Sequence, residues 1–231
     1  MTMAIVRIID FETTGTEPPA EVCEVGYSDL DTETRAIAEP VSWLCGVKEM
    51  PPEVRAVHHI SLAGCAGQPA FDEFRLYDGP AVIAAHNADF ERKFIRCTLP
   101  MICTYKAALR VWPEAPGHSN GTLRYWLEDQ GLIKPRHDLT QPAHRAGPDA
   151  YTTAHILAAL LNAGATGKEM VAWTLEPRLL PTCPLGKFRG KPWPEVEAGF
   201  LGWMLRQEGM EDDLKWNARR EIARREQGET K

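Results

Sequence analysis

Ala4-Ile5-Val6-Arg7-Ile8-Ile9-Asp10-Phe11-Glu12-Thr13-Thr14-Gly15 is the stretch from which the rest of the chain is read. Residues 4–9 are rich in β-branched side chains and predict a buried strand. Side chains alternate faces along a strand, so Asp10 and Glu12 at its end project to the same side, one pleat apart. Carboxylates that close raise one another's pKa unless a cation lies between them. Magnesium or manganese, which favour carboxylate oxygen, suit that gap. Taken alone, the tripeptide is better read as a polar strand end running into the Gly/Pro-dense turn at Gly15, Pro18 and Pro19.

Beyond that turn, two further β-type segments are expected near residues 21–29 and 35–44. Pro51 and Pro52 open a short helical region containing His58 and His59. Residues 81–85 read as a second apolar strand, followed by a helix that starts at Asn87 as N-cap and runs to about Cys97. Phe90 and Phe94 share one face of that helix. Residues 101–104 predict another short strand, 105–111 a helix, and 121–130 a helix ended by Gly131. A long loop carrying Pro135, Pro142 and Pro148 leads to the strongest helical stripe, Ala150, Ala154, Leu157 and Leu161. Thr166-Gly167-Lys168-Glu169 is a capping box that starts a new unit. The expected division is therefore residues 1–165 and 166–231.

The composition narrows the classes. With 231 residues, 44% hydrophobic and 25% charged, the chain can bury a sizeable core. No apolar run approaches the ~20 residues of a membrane span, and the N-terminus does not read as a signal peptide, so a cytoplasmic protein is expected. The net charge of −6 does not suit coating long stretches of nucleic acid, although it leaves room for holding a strand end. Residues 170–231 hold 11 Lys/Arg against 10 Asp/Glu, and residues 1–169 hold 15 against 22, so the acidity belongs to the N-terminal part. The six cysteines contain no CxxC pair and give a zinc site no support. They read as reduced, small apolar residues.

Two more acids sit at helix starts. Asp89 lies two residues past Asn87, and Asp149 opens the strong helix with His144 five residues before it. Each acid alone is explained by the helix dipole, and His144 alone by solvation. As a set they are harder to dismiss, because strand ends and helix starts can converge at one edge of an α/β sheet, where ligands bind. A histidine beside them, with an ordinary pKa of ~6.5, suits a general base.

Asp10-Phe11-Glu12-Thr13-Thr14-Gly15, His86-Asn87-Ala88-Asp89-Phe90 and His144-Arg145-Ala146-Gly147-Pro148-Asp149-Ala150 resemble the three motifs of the DEDDh 3′→5′ exonuclease superfamily. The resemblance covers roughly residues 4–163, and Val57-His58-His59-Ile60 resembles the short segment between its first two motifs. It implies an α/β, ribonuclease H-like fold: a mixed five-stranded sheet flanked by helices. It also implies two magnesium ions, manganese being a plausible substitute, held by Asp10, Glu12 and Asp149, with Asp89 acting directly or through water. In that mechanism His144 takes the proton of the attacking water and nucleoside 5′-monophosphates leave. Thr13 and Thr14 would contact the terminal nucleotide, His58 the strand end, and His86 and Asn87 would support the second-motif loop. Two departures stand out: Thr16 where many relatives have a large apolar residue, and Gly147-Pro148 before the last acid.

The tail, from Pro184-Leu185-Gly186-Lys187-Phe188-Arg189-Gly190-Lys191 to Phe200-Leu201-Gly202-Trp203-Met204-Leu205, is similar to the small C-terminal module of the exodeoxyribonuclease X branch. On that similarity rests the expectation of a DNA substrate, single-stranded DNA or DNA 3′ ends, and of a repair role. An exoribonuclease, a polymerase proofreading subunit, and a non-catalytic nucleic-acid-binding adaptor are the alternatives. Lys187, Arg189 and Lys191, alternating with Phe188 and glycines, combine charge with an aromatic surface and suit either strand contact or plain packing. Arg92, Lys93 and Arg96, and the arginines of the last helix, read as solvated faces.

Overall fold

The computed structural model describes residues 5–228. β1 (Ile5–Thr13) extends through the whole N-terminal motif. Ala4, where the sequence reading begins the strand, lies outside the described residues. The chain then runs through β2 (Val22–Asp31), β3 (Val41–Leu44), α1 (Pro52–His58), α2 (Leu62–Cys65), β4 (Val82–Ala85), α3 (Ala88–Glu91), β5 (Met101–Cys103), α4 (Thr104–Val111), α5 (Asn120–Asp129) and α6 (Ala146–Asn162). α7 (Gly167–Leu175), α8 (Ala198–Arg206) and α9 (Asp212–Glu226) complete it. The sheet has five strands in the order β3-β2-β1-β4-β5. β1 is antiparallel to β2, β2 to β3, whereas β1, β4 and β5 run parallel, so the sheet is mixed as expected.

The alternation of β1 sorts its side chains into two cores. Val6 and Ile8 join Leu30, Ala84 and Ile102 under α4, α5, α6 and α7. Ile9 and Phe11 face the other way, with Val25, Leu76, Ile83 and Ala85. Arg7, a charge inside a strand, is buried because Asp29 accepts two hydrogen bonds from it at 2.8 Å, and the carbonyls of Leu76 and Asp78 take its other arm. A buried guanidinium needs that many partners.

α6 lies directly on the sheet. A Cβ on Gly26 would fall 2.1 Å from the carbonyl carbon of Ala146, and one on Gly147 3.2 Å from the Ser42 side chain. Gly26 lets the first turn of α6 touch β2, and Gly147 lets it touch β3 at Ser42, which gives Gly147 a packing role. Pro148 sits within that first turn, where its missing N–H costs nothing.

Two expectations fail locally. The strand predicted over residues 35–44 contracts to β3, with Arg35 in a left-handed turn and Ile37 making only an isolated bridge to Leu30. The helix predicted from Asn87 to about Cys97 is the single turn α3, and the Asn87 side chain makes no cap hydrogen bond. Ile95 is buried in the second core, with Phe94, Cys97 and Leu99 packed against it. Past α3 the chain leaves the helix and packs these four residues on the second core from an irregular segment. Arg92, Lys93 and Arg96 consequently share no helical face, and Lys93 instead bonds to Glu17 and the Thr16 carbonyl.

The capping box at Thr166 and Glu169 is formed, with both reciprocal hydrogen bonds present. α7 packs on the sheet side: Met170 lies in the first core and the Thr174 hydroxyl accepts from the Cys103 N–H at 2.7 Å. A separate small core follows, built from Cys183, Phe188, Trp193, Val196, Leu201, Met204, Leu214 and Ala218.

Candidate active site

Asp10 and Glu12 continue the face of β1 that carries Val6 and Ile8, the face covered by α6. They stand at the end of the strand, where α6 begins. The first turn of α6 presents Asp149, and one oxygen from each of Asp10, Glu12 and Asp149 lies within 4.8 Å of the others. The three carboxylates form part of the wall of a cleft of about 770 Å³, shared with Phe11, Thr13, Thr16, His58, Phe90 and Tyr125.

Their environment disfavours ionisation. Burial pushes the Asp10 carboxyl well above the usual carboxylate range, and Asp149 and Glu91 push it further. Burial likewise raises Glu12 to about 8, with Asp149 and Glu24 adding and Arg145 opposing. Asp149 rises to about 6, again chiefly through burial, while the His144 N–H bonded to it pulls the other way. Three acids held together at such cost, without a lysine or arginine between them, are a donor set that a hard divalent cation fits.

Glu24 fixes the position of Asp149. It stands opposite Glu12 across the β1–β2 register and is 2% exposed. Both of its oxygens accept from the Arg145 guanidinium, and Oε2 also accepts from the Ala146 N–H at 3.1 Å. β2 therefore holds the start of α6 by a forked ion pair plus a backbone bond. Glu24 lies outside the three sequence motifs. The signal was an acid inside the apolar run Val22-Cys23-Glu24-Val25, which must be paired if buried.

His144 is exposed and borders the cleft. Its N–H donates to Asp149 Oδ2 at 3.0 Å, and its φ of 59° is left-handed, uncommon for a residue with a side chain. The backbone thus ties the expected base to one of the expected ligands.

Asp89 does not join the cluster. Its side chain is 53% exposed and forms a 2.8 Å ion pair with Lys106, away from the cleft lining. Glu91 takes the inward place on the same helical turn: it is 4% exposed, borders the cleft, and has one oxygen with no partner among the described residues. Burial raises its pKa to about 8. A one-turn helix leaves 89 and 91 on opposite sides, and the apolar environment chose the longer acid. The acid-x-acid spacing of Asp89-Phe90-Glu91 was the available signal.

The remaining expected residues divide. Thr13, His58, His86 and Asn87 border the cleft. Thr13 Oγ1 donates to the Gly15 carbonyl at 2.7 Å, and Thr14 Oγ1 accepts from the Glu21 N–H, so both hydroxyls hold the turn. Thr14 is not among the cleft residues. His58 is buried, and its Nδ1 accepts from the Ile60 N–H. His86 bonds Thr104 Oγ1 and the His118 carbonyl, and burial lowers its pKa to about 4, keeping it neutral as a support for the loop.

Comparison with known proteins agrees with this geometry. The exonuclease family profile named for RNase T matches residues 8–157. Exodeoxyribonuclease 10 of Escherichia coli (strain K12) is 32% identical over 214 residues, covering 87% of this chain and 90% of that protein. The structure of exonuclease X in complex with 5′ overhanging duplex DNA superposes with a TM-score of 0.62 at 32% identity, covering 73% of this chain and 99% of that one. Cell-death related nuclease 4 shares the fold, with a TM-score of 0.53 at 20% identity over 71% of this chain and 65% of the other. The chain belongs to the exonuclease family, as a 3′→5′ exonuclease of the DEDDh type.

Proposed function

We propose that this enzyme removes nucleoside 5′-monophosphates from DNA 3′ ends in a metal-dependent hydrolysis. The observation that carries the reading is the meeting of Asp10, Glu12 and Asp149 in one cleft. The DNA preference is supported by the exodeoxyribonuclease name of the relative that aligns along most of the chain. Asp10, Glu12 and Asp149 would hold two magnesium ions, with manganese as a substitute. Glu91 takes the fourth-carboxylate role that the sequence gives to Asp89, since it borders the cleft, acts electrostatically on Asp10, and has a buried oxygen without a partner among the described residues. When bound, the cations supply positive charge at the scissile phosphate and acidify the attacking water. His144 accepts the water's proton, and its backbone bond to Asp149 keeps the loop beside the carboxylates. The Thr13–Gly15 turn and Asn87 line the place of the terminal nucleotide, and His86 and His58 brace the walls.

The division into an exonuclease domain, residues 1–165, and a small C-terminal module, residues 166–231, completes the proposal, with α7 docking the module on the sheet. A role in cytoplasmic DNA repair goes with it, and six unpaired cysteines fit a reducing compartment. A labelled single-stranded DNA, incubated with magnesium or manganese, should shorten from its 3′ end. Asp10→Asn should slow this about 10²–10³-fold, as loss of a group that stabilises transition-state charge does. RNA cut faster than DNA would replace the substrate, and strands left full-length with both metals would end the enzymatic reading.

A further inference from the structure

We infer that the C-terminal module carries a second contact for the substrate strand, made by Arg189, Lys191, Arg206 and the exposed indole of Trp203. This rests on the exonuclease reading above and adds a surface outside the cleft.

The loop over residues 182–192 is closed on itself by backbone hydrogen bonds. Thr182 bridges to Pro192, the Cys183 N–H donates to the Lys191 carbonyl at 2.9 Å, and the Gly190 N–H donates to the Cys183 carbonyl at 2.8 Å. Gly186 and Gly190 take the left-handed conformations that close it. Phe188 is driven into the module core, which leaves Lys187 and Arg189 on either side of it in solvent. Phe188 packs on Phe200 at 4.9 Å and Phe200 on Trp203 at 5.1 Å, so an aromatic row leads from the loop to α8. Trp203 ends the row 41% exposed, and Arg206 follows it one helical turn later.

The cations are not used up internally. Arg178, Arg224 and Arg225 pair with Asp213 or Glu221, and Lys187 with Glu197. Arg189, Lys191 and Arg206 make no ion pair among the described residues. Two unpaired cations of this loop, Arg189 and Lys191, joined through the aromatic row to an exposed indole and Arg206, suit a strand that offers phosphates and base faces together. It also provides positive charge that the first 169 residues, net −7 from 15 cations and 22 anions, lack.

The test uses the full-length chain with Asp10→Ala to prevent cutting. Fluorescence anisotropy compares single-stranded DNA of about 20 nucleotides with one of about 4, long enough only for a single site. Arg189→Ala/Lys191→Ala/Arg206→Ala should weaken binding of the long strand roughly tenfold and lower the slope of log affinity against log salt by about 2. The short strand should bind as before, and Trp203→Ala should weaken the long strand several-fold without changing that slope. Thermal melts should match the parent's, since the substituted side chains are exposed. Equal binding of the long strand by the parent and the triple variant overturns the second contact. If the parent binds neither strand, the exonuclease reading falls and takes this inference with it.

Discussion

Asp89 and Glu91 stand two residues apart on one helical turn, and their environments predict opposite consequences for the same chemical change. Asp89→Asn neutralises the half-exposed partner of the buried Lys106, which keeps its bond to the Thr174 carbonyl; a loss of about 1–3 kcal/mol is expected, with the rate of DNA shortening nearly unchanged. Glu91→Gln removes the buried inward oxygen and should lower the rate roughly tenfold or more, with a weaker melting shift on adding manganese. The reverse pattern would return the fourth carboxylate to Asp89. His144→Ala should cost about 10²–10⁴-fold in rate at neutral pH while leaving that manganese shift intact, because the bond to Asp149 is made by the backbone.

At the scale of elements, the site depends on how α6 meets β2. Arg145→Met would strand Glu24 as a buried, uncompensated charge, with an expected loss of about 3 kcal/mol in urea unfolding. Adding Glu24→Met should recover part of that stability but not the activity, since the start of α6 then has no anchor. Full recovery of activity by the double variant would show that the clamp does not position Asp149. Gly26→Ala is the steric counterpart: its methyl would fall 2.1 Å from the Ala146 carbonyl carbon, so α6 must shift outward. A loss of about 1–3 kcal/mol is expected, together with weaker manganese binding.

For the molecule as a whole, the raised carboxylates set how stability depends on pH. Glu12 and Glu91 rise to about 8 and Asp149 to about 6 in the folded protein. Between their ordinary values near 4 and those raised values, the folded state keeps protons that the unfolded state has released. Metal-free protein should therefore melt at progressively lower temperature as pH rises from about 5 to about 8. A saturating divalent cation should reverse the trend, and its stabilisation should be larger at pH 8 than at pH 5. A metal-free melting temperature that climbs over this range would contradict the crowding of these acids.

The amino-acid order already determined where most strands and helices lie and set Asp10, Glu12 and Asp149 at the ends of their elements. Alternation along β1 places Asp10 and Glu12 on one face whatever else the fold does, and the period of α6 fixes Asp149 in its first turn. Such periodicities are local, set by backbone geometry within a single element. Only the tertiary structure decided the rest. Whether residues 88–97 stay helical depends on a core built from distant segments, and that core turned Glu91 inward and left Asp89 to Lys106. The pairing of Glu24 with Arg145 joins residues 121 positions apart. No local pattern encodes such a contact, because its energy exists only once β2 and α6 are brought together.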